Sequence, residues 1–97
     1  MTCRIERLSE KRSVVLRVSG QIEVEHIEML REMLVQEKRE VAIDLEEVLI
    51  VDRNALGPLA RFEQSGVELR NCPAYVREWI IRQRAGVSEG QRDDVTD

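Results

Sequence analysis

The chain has 97 residues, 42% of them hydrophobic and 35% charged, with a net charge of −4, which is the balance of one globular domain rather than a disordered segment. With one Phe, one Tyr and one Trp the core has to be aliphatic, and the acidic balance argues against a nucleic-acid footprint, which needs a surplus of Lys and Arg on one face. No signal peptide and no long apolar run is present, so nothing points to membrane insertion, and the distant Cys3 and Cys72 read as reduced thiols of a cytoplasmic protein.

Residues 3–8 alternate and residues 13–18 (SVVLRV) are dense in β-branched side chains. Separated by the polar Ser9-Glu10-Lys11-Arg12, they predict a hairpin whose second strand ends at Gly20. From 24 to 38 the period becomes helical. Val24, Ile27, Leu30 and Leu34 form one stripe, while Glu25, Glu28, Glu32 and Gln36 face away. Met29 and Met33 lie off that stripe, either packed on a neighbouring element or available as a soft contact patch.

Val41-Ala42-Ile43-Asp44-Leu45 reads as a central strand, broken by Glu46-Glu47. Residues 48–51 are apolar again. Ala55, Leu56, Leu59 and Phe62 make a second helical stripe, closed by Ser65-Gly66. Residues 67–69 give a further short strand. Pro73 suits the start of a third helix with Val76, Trp79 and Ile80 inward, Tyr75 beside Trp79, and Ile81 outside the stripe. Residues 1–86 are therefore expected to form the domain. Residues 87–97, with Asp93, Asp94 and Asp97, are expected to be a disordered acidic tail. The order β-β-α-β-α-β-α predicts an α/β fold, a small mixed four-stranded sheet with helices packed mainly on one face.

Little catalytic chemistry is on offer. His26 is the sole histidine and lies in an acidic helix start, so no Ser-His-Asp or Cys-His set is in plausible context. Cys3, His26 and Cys72 lack metal-ligand spacing and a fourth ligand. No glycine-rich phosphate cradle exists. Asp44 stands where a receiver domain keeps its phospho-accepting Asp. The acidic pair and lysine that such chemistry needs are not evident, so Asp44 reads as a strand-end hydrogen-bond acceptor. No enzyme activity and no cofactor are implied. Asp52, just before a helix start, reads as an N-cap.

Three segments resemble the STAS family, which joins sulfate transporters with anti-sigma factor antagonists. Val15-Leu16-Arg17-Val18-Ser19-Gly20-Gln21-Ile22-Glu23 resembles its opening motif. Ile43-Asp44-Leu45, Val48 and residues 51–57 (VDRNALG) resemble its central signature, and Val67-Glu68-Leu69-Arg70-Asn71-Cys72-Pro73 its last strand and helix start. The resemblance spans residues 13–82 and implies a small mixed sheet with helices mainly on one side. It also implies a non-enzymatic module that docks a protein partner, an anti-sigma factor of kinase-like type or an ATPase subunit. In antagonist members a phosphorylatable serine follows the Asp that Asp52 matches. Here that position is Arg53, Asn54 is no acceptor, and Ala55 replaces a glycine. The switch of a phosphoryl group's charge and acceptor oxygens is thus replaced by a permanent cation.

The partner surface expected from this resemblance is Asp52, Arg53, Asn54, Ala55, Gly57 and Arg61. Pro58, lacking an N–H, costs on the order of 3 kcal/mol inside a helix, so the second helix is expected to start late, near Leu56, or with an irregular first turn. Two other readings fit the same resemblance: an accessory or scaffold subunit of a transporter ATPase or stressosome-type assembly, and a small anionic-ligand sensor using the loop as an anion nest. Met29, Met33, Tyr75 and Ile81 are candidate self-association residues, with monomer and homodimer both open.

Overall fold

The hydrophobic pattern sorts the chain into seven elements, and the computed structural model, which describes residues 3–84, has them in the expected order. β1 (Cys3–Ser9) and β2 (Ser13–Ile22) form an antiparallel hairpin, in unbroken register from Cys3 opposite Gly20 to Ser9 opposite Val14. β2 runs parallel to β3 (Glu40–Val51), and β3 parallel to β4 (Glu68–Arg70), so the sheet order is β1-β2-β3-β4. Parallel neighbours need a crossover. Helix α1 (Val24–Gln36) supplies it between β2 and β3, and α2 (Arg53–Gln64) between β3 and β4. Helix α3 (Ala74–Arg84) closes the order. Residues 87–97, expected to be an acidic tail, lie outside the described residues.

Side chains alternate across the sheet, and one face carries the core. Val14, Leu16 and Val18 of β2, Ile43 and Leu45 of β3 and Leu69 of β4 form one buried cluster with residues of all three helices. The helices contribute Ile27 and Leu30 of α1, Leu59 and Phe62 of α2, and Val76 and Ile80 of α3. Val24, placed by its spacing on the inner stripe of α1, is instead exposed at the first helical position. There the chain has only begun to turn toward the core. The end of α2 follows the chemistry expected of Gly66. With φ at +110° it lets its own N–H reach Glu63 O and the Val67 N–H reach Phe62 O, the paired bonds of a Schellman motif.

The opposite face is ionic. Glu6, Arg17, Asp44 and Arg70 stand in one row across all four strands. Asp44 is the one buried charged residue among those described. Its Oδ1 accepts from the Glu46 N–H at 3.0 Å and from Asn71 Nδ2 at 3.1 Å, and its Oδ2 lies 3.9 Å from Arg17 Nε. Burial pushes its carboxyl pKa up. The bonds from Asn71 and Glu46 and the charges of Arg17 and Arg70 outweigh burial and hold it below the usual carboxylate range. Asn71 reaches Asp44 from a left-handed backbone, φ +54°, which Asn tolerates better than most residues.

Three expectations about element ends give way. β2 does not stop at Gly20; it bends there, with φ at +92°, and continues to Ile22. β3 is not broken at Glu46-Glu47. The three steps from Asp44 to Glu47 face two on β2, from Arg17 to Ser19, so a bulge takes up the extra residue and turns both acids to solvent. A second irregularity, Val48 to Ile50 against Gly20 to Gln21, takes up another.

Helix α2 does not start late. It begins at Arg53 and runs through Pro58, so the exposed loop is not lengthened. The Ala55 N–H bonds to Asp52 O at 2.8 Å, a tight first turn, and five buried residues of α2 hold it on the sheet despite the missing bond. The cost remains local: Pro58 has no N–H to give to the Asn54 carbonyl, which lies in the exposed first turn.

At the other end of the sheet Glu37 ties the connection between α1 and β3 to β1. Its Oε2 accepts from Arg7 Nη2 of β1 at 2.8 Å and its Oε1 from Arg39 Nε at 3.2 Å, while Arg39 Nη1 reaches Ser9 Oγ at 2.9 Å. The bond from Arg7 is the main cause that holds the Glu37 carboxyl below its ordinary range.

Asp44→Asn should lower the unfolding free energy by about 1–2 kcal/mol at neutral pH, since charge-assisted bonds become neutral ones. A carboxyl whose folded pKa is depressed contributes fully above its unfolded pKa and loses that contribution as pH falls through the folded value. The gap between wild type and Asp44→Asn in urea unfolding should therefore close on acidification. Pro58→Ala should raise stability by about 1–2 kcal/mol in the same assay, because it restores the helical donor.

Candidate functional site: the junction of β3 and α2

The segment between β3 and α2 is fixed by hydrogen bonds from two directions. The Asp52 N–H donates to Ile22 O at 2.8 Å, tying the junction to the end of β2. One residue earlier, the Val51 N–H donates to the Tyr75 hydroxyl at 2.9 Å, tying it to the start of α3. Val51 itself is buried. The junction thus sits at the carboxyl ends of two parallel strands, where open α/β sheets place their binding loops.

Asp52 occupies the N-cap position, but its side chain makes no capping bond, contrary to the role expected of it. Its extended backbone, φ −59° and ψ +144°, presents only the carbonyl to the helix. Arg53 and Asn54 are exposed, and Arg53 has no hydrogen-bond or ion-pair partner among the described residues. Eight other arginines differ: Arg4, Arg7, Arg17, Arg31, Arg39, Arg70, Arg77 and Arg82 each face a carboxylate.

Ala55, expected on the partner surface, is fully buried in the core and cannot touch a partner. It follows the exposed Asn54 by one helical step of about 100°, which carries it from the outer side of α2 to the sheet side. Gly57 and Arg61 lie further along α2, on the side of Asn54, and line a shallow groove of about 320 Å³ against Trp79 and Gln83 of α3.

Apolar side chains whose exposure spacing did not disclose border the junction. Leu49 is 66% exposed, Ile50 47% and Tyr75 50%, and Val24 stands at the neighbouring start of α1. The second bulge of β3 is the cause: it turns Leu49 and Ile50 outward together while Val48 and Val51 stay on the core side. The adjacent pair Glu46-Glu47 signals only the first bulge, since two successive acids cannot both alternate outward on a regular strand.

The four self-association candidates do not make one patch. Met29 is exposed and Met33 is packed against the core, both on α1. Tyr75 and Ile81 are exposed on α3, and α2 lies between these two helices. His26 is a local structural group: its Nδ1 accepts the Glu23 N–H at 2.9 Å at the start of α1. Both cysteines are half-buried free thiols. Burial foremost raises the pKa of each, aided at Cys3 by the charge of Glu23, which suppresses thiolate reactivity. Among the described residues no helix is long and apolar enough to cross a membrane.

The fold has a solved counterpart. The structure of the anti-sigma factor antagonist SpoIIAA in its unphosphorylated form matches over 81% of this chain and 83% of its own, with a TM-score of 0.63 and 19% identity. The chain has the STAS, anti-sigma factor antagonist-like fold. An antisigma-factor antagonist STAS domain from Rhodobacter sphaeroides aligns over 70% of this chain and 83% of its own, with a TM-score of 0.48 and 24% identity. No protein-family model matches the sequence, and no curated protein matches it significantly.

Tyr75→Phe should remove the acceptor of the Val51 N–H and destabilise the chain by about 1–2 kcal/mol. Amide exchange at Val51 should speed up more than at core amides of β2, which distinguishes local loosening of the junction from global unfolding.

Proposed function

We infer that this chain is a non-enzymatic docking module of the anti-sigma factor antagonist type that engages a regulatory protein through the junction of β3 and α2, without a serine switch. The observation that carries this reading is the exposed Arg53, without a hydrogen-bond or ion-pair partner among the described residues, at a junction bordered by the exposed Leu49, Ile50 and Tyr75. An apolar centre with a charged group beside it is the usual composition of a protein contact, with aromatic and Arg side chains carrying most of the affinity. The fold supports a protein-interaction role in general, and the residues at the tip specify its charge.

Arg53 bears on regulation. A guanidinium accepts no phosphate from a serine kinase and keeps its charge at all physiological pH. A partner bound here has to supply a carboxylate or phosphate, and its release cannot be driven by phosphorylation at position 53. The partner chemistry that fits is an acidic edge next to an apolar surface, as an anti-sigma factor of kinase-like type would have to offer.

A pull-down from the native host should retain such a regulatory ATPase or anti-sigma factor. Its capture should fall by about tenfold or more with Arg53→Glu, and similarly with Leu49→Ser combined with Ile50→Ser. Capture unchanged by both variants, with the fold intact by circular dichroism, would refute the surface.

A further inference from the structure

We propose that two copies of this chain associate through their β1 strands, antiparallel and with Ile5 on the two-fold axis, to form one continuous eight-stranded sheet. β1 is the edge of the sheet and has no strand on its outer side among the described residues. It is seven residues long, and its register with β2 has no shift, so it carries neither a bulge nor a proline. Those are two of the devices that stop an edge from pairing with another copy.

What β1 does carry is charge, and the charge selects one register. With the helices of both copies on the same side of the joint sheet, the axis has to pass through a residue, and that residue faces itself. Centring on Arg4 sets Arg4 against Arg4, centring on Glu6 sets Glu6 against Glu6, and centring on Arg7 sets Arg7 against Arg7. Like charges directly opposite one another are destabilising.

Centring on Ile5 avoids all three. It places Arg4 opposite the second copy's Glu6, and Glu6 opposite its Arg4. Ile5 then meets Ile5 on the core-side face, where it is already packed against the cluster. Arg4 is available for this role. Its side chain is 77% exposed, and its only partner among the described residues is Glu6 of the same strand, at 3.7 Å. Arg7 is held by Glu37 and stays out of the exchange.

Pairing five residues per copy is a small interface, so the association is weak and concentration-dependent. It leaves the junction of β3 and α2 uncovered, because β2 separates β1 from β3. The dimer therefore stands or falls independently of the docking function.

Sedimentation equilibrium from ~10 μM to ~1 mM tests the proposal. Wild type should shift from monomer to dimer across that range. Arg4→Glu sets a carboxylate against Glu6 of the second copy, and Glu6→Arg sets a guanidinium against its Arg4; each should weaken self-association by roughly tenfold or more. An equimolar mixture of the two variants pairs opposite charges at both positions and should recover dimer. Arg4→Glu alone decides the matter if Glu6→Arg, which faces Arg17 in its own chain, fails to fold. A wild type that stays monomeric to ~1 mM, or a dimer that Arg4→Glu leaves intact, would overturn it.

Discussion

Twelve residues of β3 have to pair with ten of β2, and the remainder of the molecule is arranged around that mismatch. A parallel pair of unequal strands either frays or bulges. Here the first bulge is locked by Asp44, whose carboxylate accepts the Glu46 N–H that the bulge frees from the ladder. A buried carboxylate is costly unless its acceptor sites are filled. Asn71 donates a second bond, which ties the turn after β4 to the centre of the sheet, and the charges of Arg17 and Arg70 offset the burial. The second bulge is what turns apolar side chains outward at the end of β3. The same register that builds the core therefore builds the contact surface.

The charges divide by location. On the solvent face of the sheet and around Glu37 they are compensated by near neighbours, and such exposed pairs contribute modestly to stability. At the junction the pattern reverses: Arg53 has no compensating partner among the described residues, where the backbone is held by Ile22 on one side and Tyr75 on the other. A rigid backbone under an unpaired long side chain suits recognition, because the ordering cost on binding falls mainly on one side chain.

Much of this architecture is legible in the residues. Helical and alternating periods place all seven elements, Gly66 marks the end of α2, and the Asp44 carboxylate acts as an acceptor as its setting implies. What periodicity does not carry is the bulges. They make the acids at 46 and 47, an apparent strand break, an outward kink, and they leave the apolar run at 48–51 half exposed. Pro58 misleads for a related reason. Its local cost is real, but Ala55, Leu56, Leu59, Ala60 and Phe62 are all buried on α2, and tertiary packing outweighs one missing bond. Ala55 illustrates the limit of motif matching: its place in the signature reflects packing against the sheet, not contact with a partner.

The proline has a chemical corollary at the tip. The Asn54 carbonyl, deprived of its donor, stands in the exposed turn one residue from the Arg53 guanidinium. That main-chain acceptor is left to solvent or to a hydroxyl or amide N–H of whatever approaches, in addition to the carboxylate or phosphate that the guanidinium calls for.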